Sequence, residues 1–160
     1  MHRCFAPVTR PDTRLIVLGS LPGARSLAEQ RYYANPLNQF WRLIGAVIGR
    51  DLVPLGYEAR LEALLDARVG LWDTVAAATR RGSLDSDIRL REASDLAALA
   101  ATLPDLAAMA FNGGTSARIG RRRLAGISGL DLVDLPSSSP AYTLAFERKL
   151  DAWLALRAYL

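Results

Sequence analysis

The stretch YYANPLNQFW, residues 32–41, sets Tyr32, Tyr33, Phe40 and Trp41 around Asn35, Asn38 and Pro36. An asparagine side chain carries a donor and an acceptor, and burying it without partners is costly. Amides among aromatic rings therefore suit a pocket that stacks a flat ligand and reads its polar edge. Asn35 before Pro36 reads as a helix N-cap followed by proline at the first helical position, with the helix running from Pro36 to about Gly49. Phe40 and Trp41 then turn inward. Asn38 falls in the first turn, close to unpaired N–H groups, with its side chain available to a crevice. Tyr32 and Tyr33 precede the cap, and either could stack on a base or pack in the core.

Three further stretches have chemistry-bearing residues. GSLPG (19–23) lets backbone approach a ligand closely, yet lacks the spacing of a Walker or dinucleotide loop. FNGGTSARIGRRR (111–123) sets Asn112 before two glycines, where its amide could meet the edge of a base. Arg118, Arg121 and Arg122 follow on one helical face, which reads either as solvated or as a phosphate track. LPSSSPAY (135–142) holds Ser137, Ser138 and Ser139 before Pro140. Its hydroxyls and N–H groups suit a phosphate, while Ser139 and Pro140 also read as the start of the last helix.

Composition narrows the chemistry. The 160 residues are 51% apolar with a formal charge of +4, which suits one domain spanning 1–160. Cys4 is the only cysteine and His2 the only histidine, so no disulfide, metal site or Ser-His-Asp triad is expected. Lys149 is the only lysine, so a Schiff base would have to use it or the α-amino group. The arginine excess fits nucleic-acid binding and equally a GC-rich coding bias. With no apolar stretch resembling a signal peptide or a membrane span, the expectation is a cytoplasmic protein without a cofactor.

The elements that must hold these residues follow from periodicity. RLIVLG (14–19), RVGLWD (68–73), LAAMAFN (106–112) and LDLVDL (130–135) read as strands. The first and third are continuous enough to be buried on both faces. Phe40, Ile44, Val47 and Ile48 share a helical face, as do Leu61, Leu64 and Leu65, then Leu96, Leu99 and Leu103, and finally Phe146, Leu150, Trp153 and Leu154. Strands separated by helices predict an α/β fold, a three-layer αβα sandwich around a four-stranded parallel sheet. The segments after the strands, GSLPG, DTVAAATRRGSLDS, NGGTS and PSSSPAY, would then converge on one carboxyl edge as a site.

On GSLPG with YYANPLNQFW, GLWDTVAAATRRGSLDSDI (70–88), FNGGTSA and LPSSSPAY, in that order, the chain resembles the uracil-DNA glycosylase superfamily over most of its length. It is most similar to the hypoxanthine-DNA (deoxyinosine) glycosylase branch, which is related to the mismatch-specific uracil/thymine enzymes. The resemblance implies a monofunctional glycosylase that flips a deaminated base out of DNA and hydrolyses its N-glycosidic bond. It implies Asn38 as the catalytic group, since Leu21 stands where relatives carry a polar residue. Tyr33 matches the ring that stacks on the flipped base and Asn112 a base-recognition position. Ser137, Ser138, Ser139 and Pro140 match the motif that grips phosphate in the minor groove, and its leading polar residue is here Leu135.

The chemistry implied is a sugar gaining oxocarbenium character while the base departs with negative charge. Asn38 would hold a water by its carbonyl oxygen. N–H groups from Gly19, Ser20 and Leu21 through Gly23, together with the helix start, would stabilise the base. Asp85 or Asp87 is a lesser candidate for a carboxylate. Hypoxanthine is the first substrate expected, with uracil or xanthine after it. Two other classes stay open: a catalytically weak module that binds lesions or abasic sites, and a nucleoside hydrolase.

Overall fold

A computed structural model describes residues 2–3, 5–79 and 89–160. In chain order it contains β1 (His2–Arg3), β2 (Leu15–Gly19), α1 (Ala24–Glu29), α2 (Phe40–Ile48), α3 (Tyr57–Asp66) and β3 (Val69–Asp73). Then follow β4 (Val75–Thr79), β5 (Arg89–Ala93), α4 (Leu96–Ala101), β6 (Ala108–Asn112), α5 (Gly114–Arg123), β7 (Asp131–Leu135) and α6 (Phe146–Leu154). A 3-10 segment, Ala155–Tyr159, ends the chain.

The four expected strands form one parallel sheet in the order β3-β2-β6-β7. Side chains alternate across its central strand β2. Leu15 and Val17 join the core that includes Phe40, Ile44, Leu64 and Trp153, whereas Ile16 and Leu18 join Leu96, Leu103, Met109, Phe111 and Leu124. Helices thus cover both faces, which is why β2 and β6 are buried at every position. The edge strand β7 is covered less completely: Asp131 and Asp134 are exposed while Leu135 is buried.

Two local expectations change. The helix expected from Pro36 begins at Phe40. Asn35 Oδ1 accepts the Leu37 N–H at 3.0 Å and Asn38 Oδ1 the Phe40 N–H at 2.9 Å. These side chains hold the backbone in successive turns that compete with a helix. The last helix begins at Phe146, not near Pro140. Ser139 Oγ instead accepts the Ala141 N–H at 3.1 Å, closing a turn of its own.

Helix α1 and a whole second sheet, β1, β4 and β5, were not expected. Val75–Thr79, read as part of a loop, is a strand that pairs antiparallel with β1 and β5 in a second sheet. Alanine is depleted in strands, so VAAAT has little local strand signal. Its strand state comes from pairing with β5, the next element, and with β1 at the start of the chain. Asp85 and Asp87 lie outside the described residues.

Gly120 on α5 shows how tightly a helix sits on the sheet. A Cβ there would come within 2.8 Å of Phe111 Cδ1, with the rest of that buried ring behind it. Helix propensity alone favours alanine over glycine, but overpacking costs about 1–3 kcal/mol. Gly120→Ala is therefore expected to destabilise, seen as a lower urea midpoint with an unchanged m-value.

Candidate active site

The sheet order places β3 and β6 on either side of β2, so the carboxyl ends of β2 and β6 flank the point where the chain reverses direction across the sheet. A cleft of about 680 Å³ opens there. Its wall draws on Gly19–Ser26, Tyr32 and Tyr33, Asn35, Asn38, Asp73, Asn112–Thr115 and Leu135–Tyr142. Three of the four segments after the strands meet at this edge, whereas of the segment after β3 only Asp73 lines the cleft, and the chain continues into β4.

Ser138 connects three of those segments and is only 1% exposed. Its N–H donates to Asn112 Oδ1 at 2.9 Å, and its Oγ accepts from Asn112 Nδ2 at 2.9 Å. The hydroxyl in turn donates to Asn38 Oδ1 at 2.8 Å. Asn112 Nδ2 also reaches the Tyr33 hydroxyl at 3.3 Å. The Asn112 amide is thus engaged at both ends inside the protein. Gly113, at φ 98°, makes the approach possible, because a Cβ would lie 3.2 Å from Ser137 Cβ.

The orientation of Asn38 follows from its donors. A backbone N–H can only donate, so the atom facing Phe40 N must be the carbonyl oxygen. That oxygen also accepts from Ser138, so both lone pairs are engaged and the –NH2 end is the one left to the half-buried, cleft-facing side. Expecting the carbonyl to hold water did not anticipate these two donors.

Tyr32 and Tyr33 separate. Tyr32 is 3% exposed, packs edge-on against Phe5 and joins the core, while half-buried Tyr33 stacks on Phe40 with centroids 3.9 Å apart. Tyr33 adopts φ 53° without being glycine, a conformation that costs about 1–3 kcal/mol when held in place. The Trp41 indole N–H donates to its carbonyl at 3.2 Å, and Ala34 N–H to Ser26 Oγ at 3.0 Å. These bonds hold the ring at the cleft.

The remaining residues singled out from the sequence divide clearly. Gly19 and Ser20 line the cleft, and Leu21 lines it while its side chain packs with Val75 and Ile119. Ser137, Ser139 and Pro140 lie on the rim segment. Arg118 is exposed and outside the cleft wall. Arg121 is tied to Asp134 at 3.0 Å and to the Leu132 carbonyl, so it is committed to β7.

A model of the uracil DNA glycosylase superfamily matches residues 6–159. The chain belongs to this superfamily. It is 38% identical over 156 residues to a hypoxanthine DNA glycosylase of Methanosarcina acetivorans, covering 98% of each chain. It is 36% identical over 149 residues to one of Methanosarcina barkeri, covering 93% of each. The solution NMR structure of a candidate uracil DNA glycosylase from M. acetivorans superposes with a TM-score of 0.87 at 38% identity, covering 98% of this chain and 97% of that one. The three-layer α/β fold is therefore that of the glycosylase superfamily.

In this glycosylase one cleft residue escaped the sequence reading. Asp73 ends β3, is 3% exposed and pairs in register with Gly19. A Cβ on Gly19 would lie 2.6 Å from Asp73 Oδ1 and 3.3 Å from the Tyr33 hydroxyl. The signal was available, since a polar residue closing a buried strand is what singled out Asn112. Ser138→Ala is expected to lower stability by about 1–3 kcal/mol, because Asn112 and Asn38 each lose a buried partner. Urea denaturation measures the loss, and single-turnover base release should slow with it.

Proposed function

We propose that this protein excises hypoxanthine from DNA, with uracil or xanthine as secondary substrates, leaving an abasic site. That it is a DNA repair glycosylase, a hydrolase of the N-glycosidic bond, follows from its superfamily and from the two relatives of that name. The observation that carries the site assignment is the set of hydrogen bonds holding Asn38 in the cleft wall beside Tyr33. In this reading Tyr33, backed by Phe40, stacks on the flipped base.

Asn38 then acts through its amide hydrogens. Its carbonyl is polarised by the Phe40 N–H and the Ser138 hydroxyl, which strengthens the –NH2 end as a donor. A donor aimed at the departing purine stabilises the charge that develops there, a contribution no imidazole makes in this site. Water attacks C1′ of the sugar from the opposite side, and neighbouring DNA phosphates offset the oxocarbenium charge. Asn112 supports this arrangement by holding Ser138 and the Tyr33 hydroxyl rather than by reading the base.

Asp73 supplies the base-reading group in the same reading. A carboxylate only accepts, so it suits the ring N–H of hypoxanthine, uracil or xanthine and disfavours the lone pair on N1 of adenine. That difference separates a deaminated base from its parent. Ser137, Ser139, Pro140 and the exposed Arg118 provide contacts for the DNA backbone. In this reading one domain performs the whole reaction; among the described residues no helix is long and apolar enough to cross a membrane.

Asn38→Ala is expected to slow single-turnover release of hypoxanthine from an inosine-containing duplex by about 100-fold or more. It should also lower stability by about 1–3 kcal/mol in urea denaturation while the protein still folds, because the Phe40 N–H and the Ser138 hydroxyl lose their acceptor. Unchanged turnover would remove Asn38 from the reaction, and binding without base release by the wild type would mark a lesion-binding module instead. Borohydride should trap no covalent adduct with DNA. The only lysine, Lys149, is 1% exposed and outside the cleft wall.

A further inference from the structure

Lys149 is an unusual residue to bury. It projects from α6, is 1% exposed, and its ordinary pKa is pushed down by desolvation. Among the described residues no carboxylate forms an ion pair with it. Its ammonium donates to Gln39 Oε1 at 2.9 Å and to the Ser139 carbonyl at 3.2 Å, with the Tyr142 ring 5.4 Å away. A buried cation held by neutral oxygens is costly, and an apolar residue of similar shape is often no less stable there.

The two acceptors explain its position. Gln39 follows Asn38, and Ser139 follows Ser138, the two residues whose side chains meet at 2.8 Å. Gln39 N–H also donates to the Ser138 carbonyl at 3.0 Å. Lys149 therefore grips the two segments one residue beyond their active contact on each side. We propose that Lys149 is a positioning residue for base release, a buried clamp that keeps the Asn38 amide aligned by holding Gln39 and Ser139 together. The clamp rests on the role assigned to Asn38 and goes beyond it, since Lys149 touches neither base nor sugar.

The test uses the full-length protein, an inosine-containing duplex for rates and a duplex with a tetrahydrofuran abasic analogue for affinity. Lys149→Met is expected to slow single-turnover base release by about 10- to 100-fold while abasic-analogue affinity stays within about threefold, the pattern of a misaligned amide. Because the clamp works through the Ser138–Asn38 contact, the same substitution in a Ser138→Ala background should cost much less than in the wild type. A release rate within about threefold of wild type, an equal loss of rate and affinity, or a full multiplicative loss in the Ser138→Ala background overturns the proposal. Should Lys149→Met fail to fold, Gln39→Leu removes one clamp partner from the half-buried side. It should slow release with affinity retained, and an unchanged rate would again overturn the clamp. Asn38→Ala separates the two readings. An inactive Asn38→Ala with a fully active Lys149→Met sinks the clamp alone, whereas an active Asn38→Ala sinks both.

Discussion

The reciprocal hydrogen bonds between Ser138 and Asn112 are the constraint from which the cleft is built. One bond runs from the Ser138 N–H to the Asn112 carbonyl, and another from the Asn112 –NH2 to the Ser138 hydroxyl. Together they join the end of β6 to the segment after β7. Both residues are buried, so either would be expensive to leave half-satisfied. With the hydroxyl oxygen accepting from Asn112, its hydrogen is directed to Asn38, and that amide inherits its orientation. Three segments far apart in sequence thus share one network, in which each bond fixes the polarity of the next.

The surrounding packing supports that network from behind. Gly113 lets the serine segment lie against the start of α5, and the Trp153 indole N–H donates to the Pro136 carbonyl at 3.0 Å. Tyr33 bears backbone strain that its neighbours must offset, and Phe40 and Trp41 do so by stacking and by a hydrogen bond. The aromatic density of residues 32–41 is therefore neither wholly core nor wholly pocket. Tyr32, Phe40 and Trp41 are the buried base on which Tyr33 stands at the cleft.

In the proposed chemistry this rigidity substitutes for reactive groups. Leu21 and Leu135 are both 5% exposed, and they close the cleft wall with apolar surface where a charged or imidazole side chain would act directly. Donors held in place before the base departs need no reorganisation during the reaction. A fixed amide can contribute there, provided that its alignment is maintained by groups that take no part in bond breaking.

Much of the fold was legible because it rests on local pattern. Continuous apolar runs marked the four parallel strands, and spaced apolar residues marked the faces of the longer helices, since burial on one or both sides leaves its period in the chain. The same reading located the segments that form the cleft, because polar and turn residues cluster where strands end. It could not establish which polar groups meet. Asn38 and Asn112 look alike in sequence, yet one faces the cleft with its –NH2 while the other is tied internally at both ends. Lys149 stood out only as the single lysine, and Asp73 as the last residue of a strand. Chain composition and periodicity alone determined the layers and the edge at which a site would form. Tertiary structure decided the roles within it, because a hydrogen bond's direction depends on partners that folding brings from as far as 110 residues away.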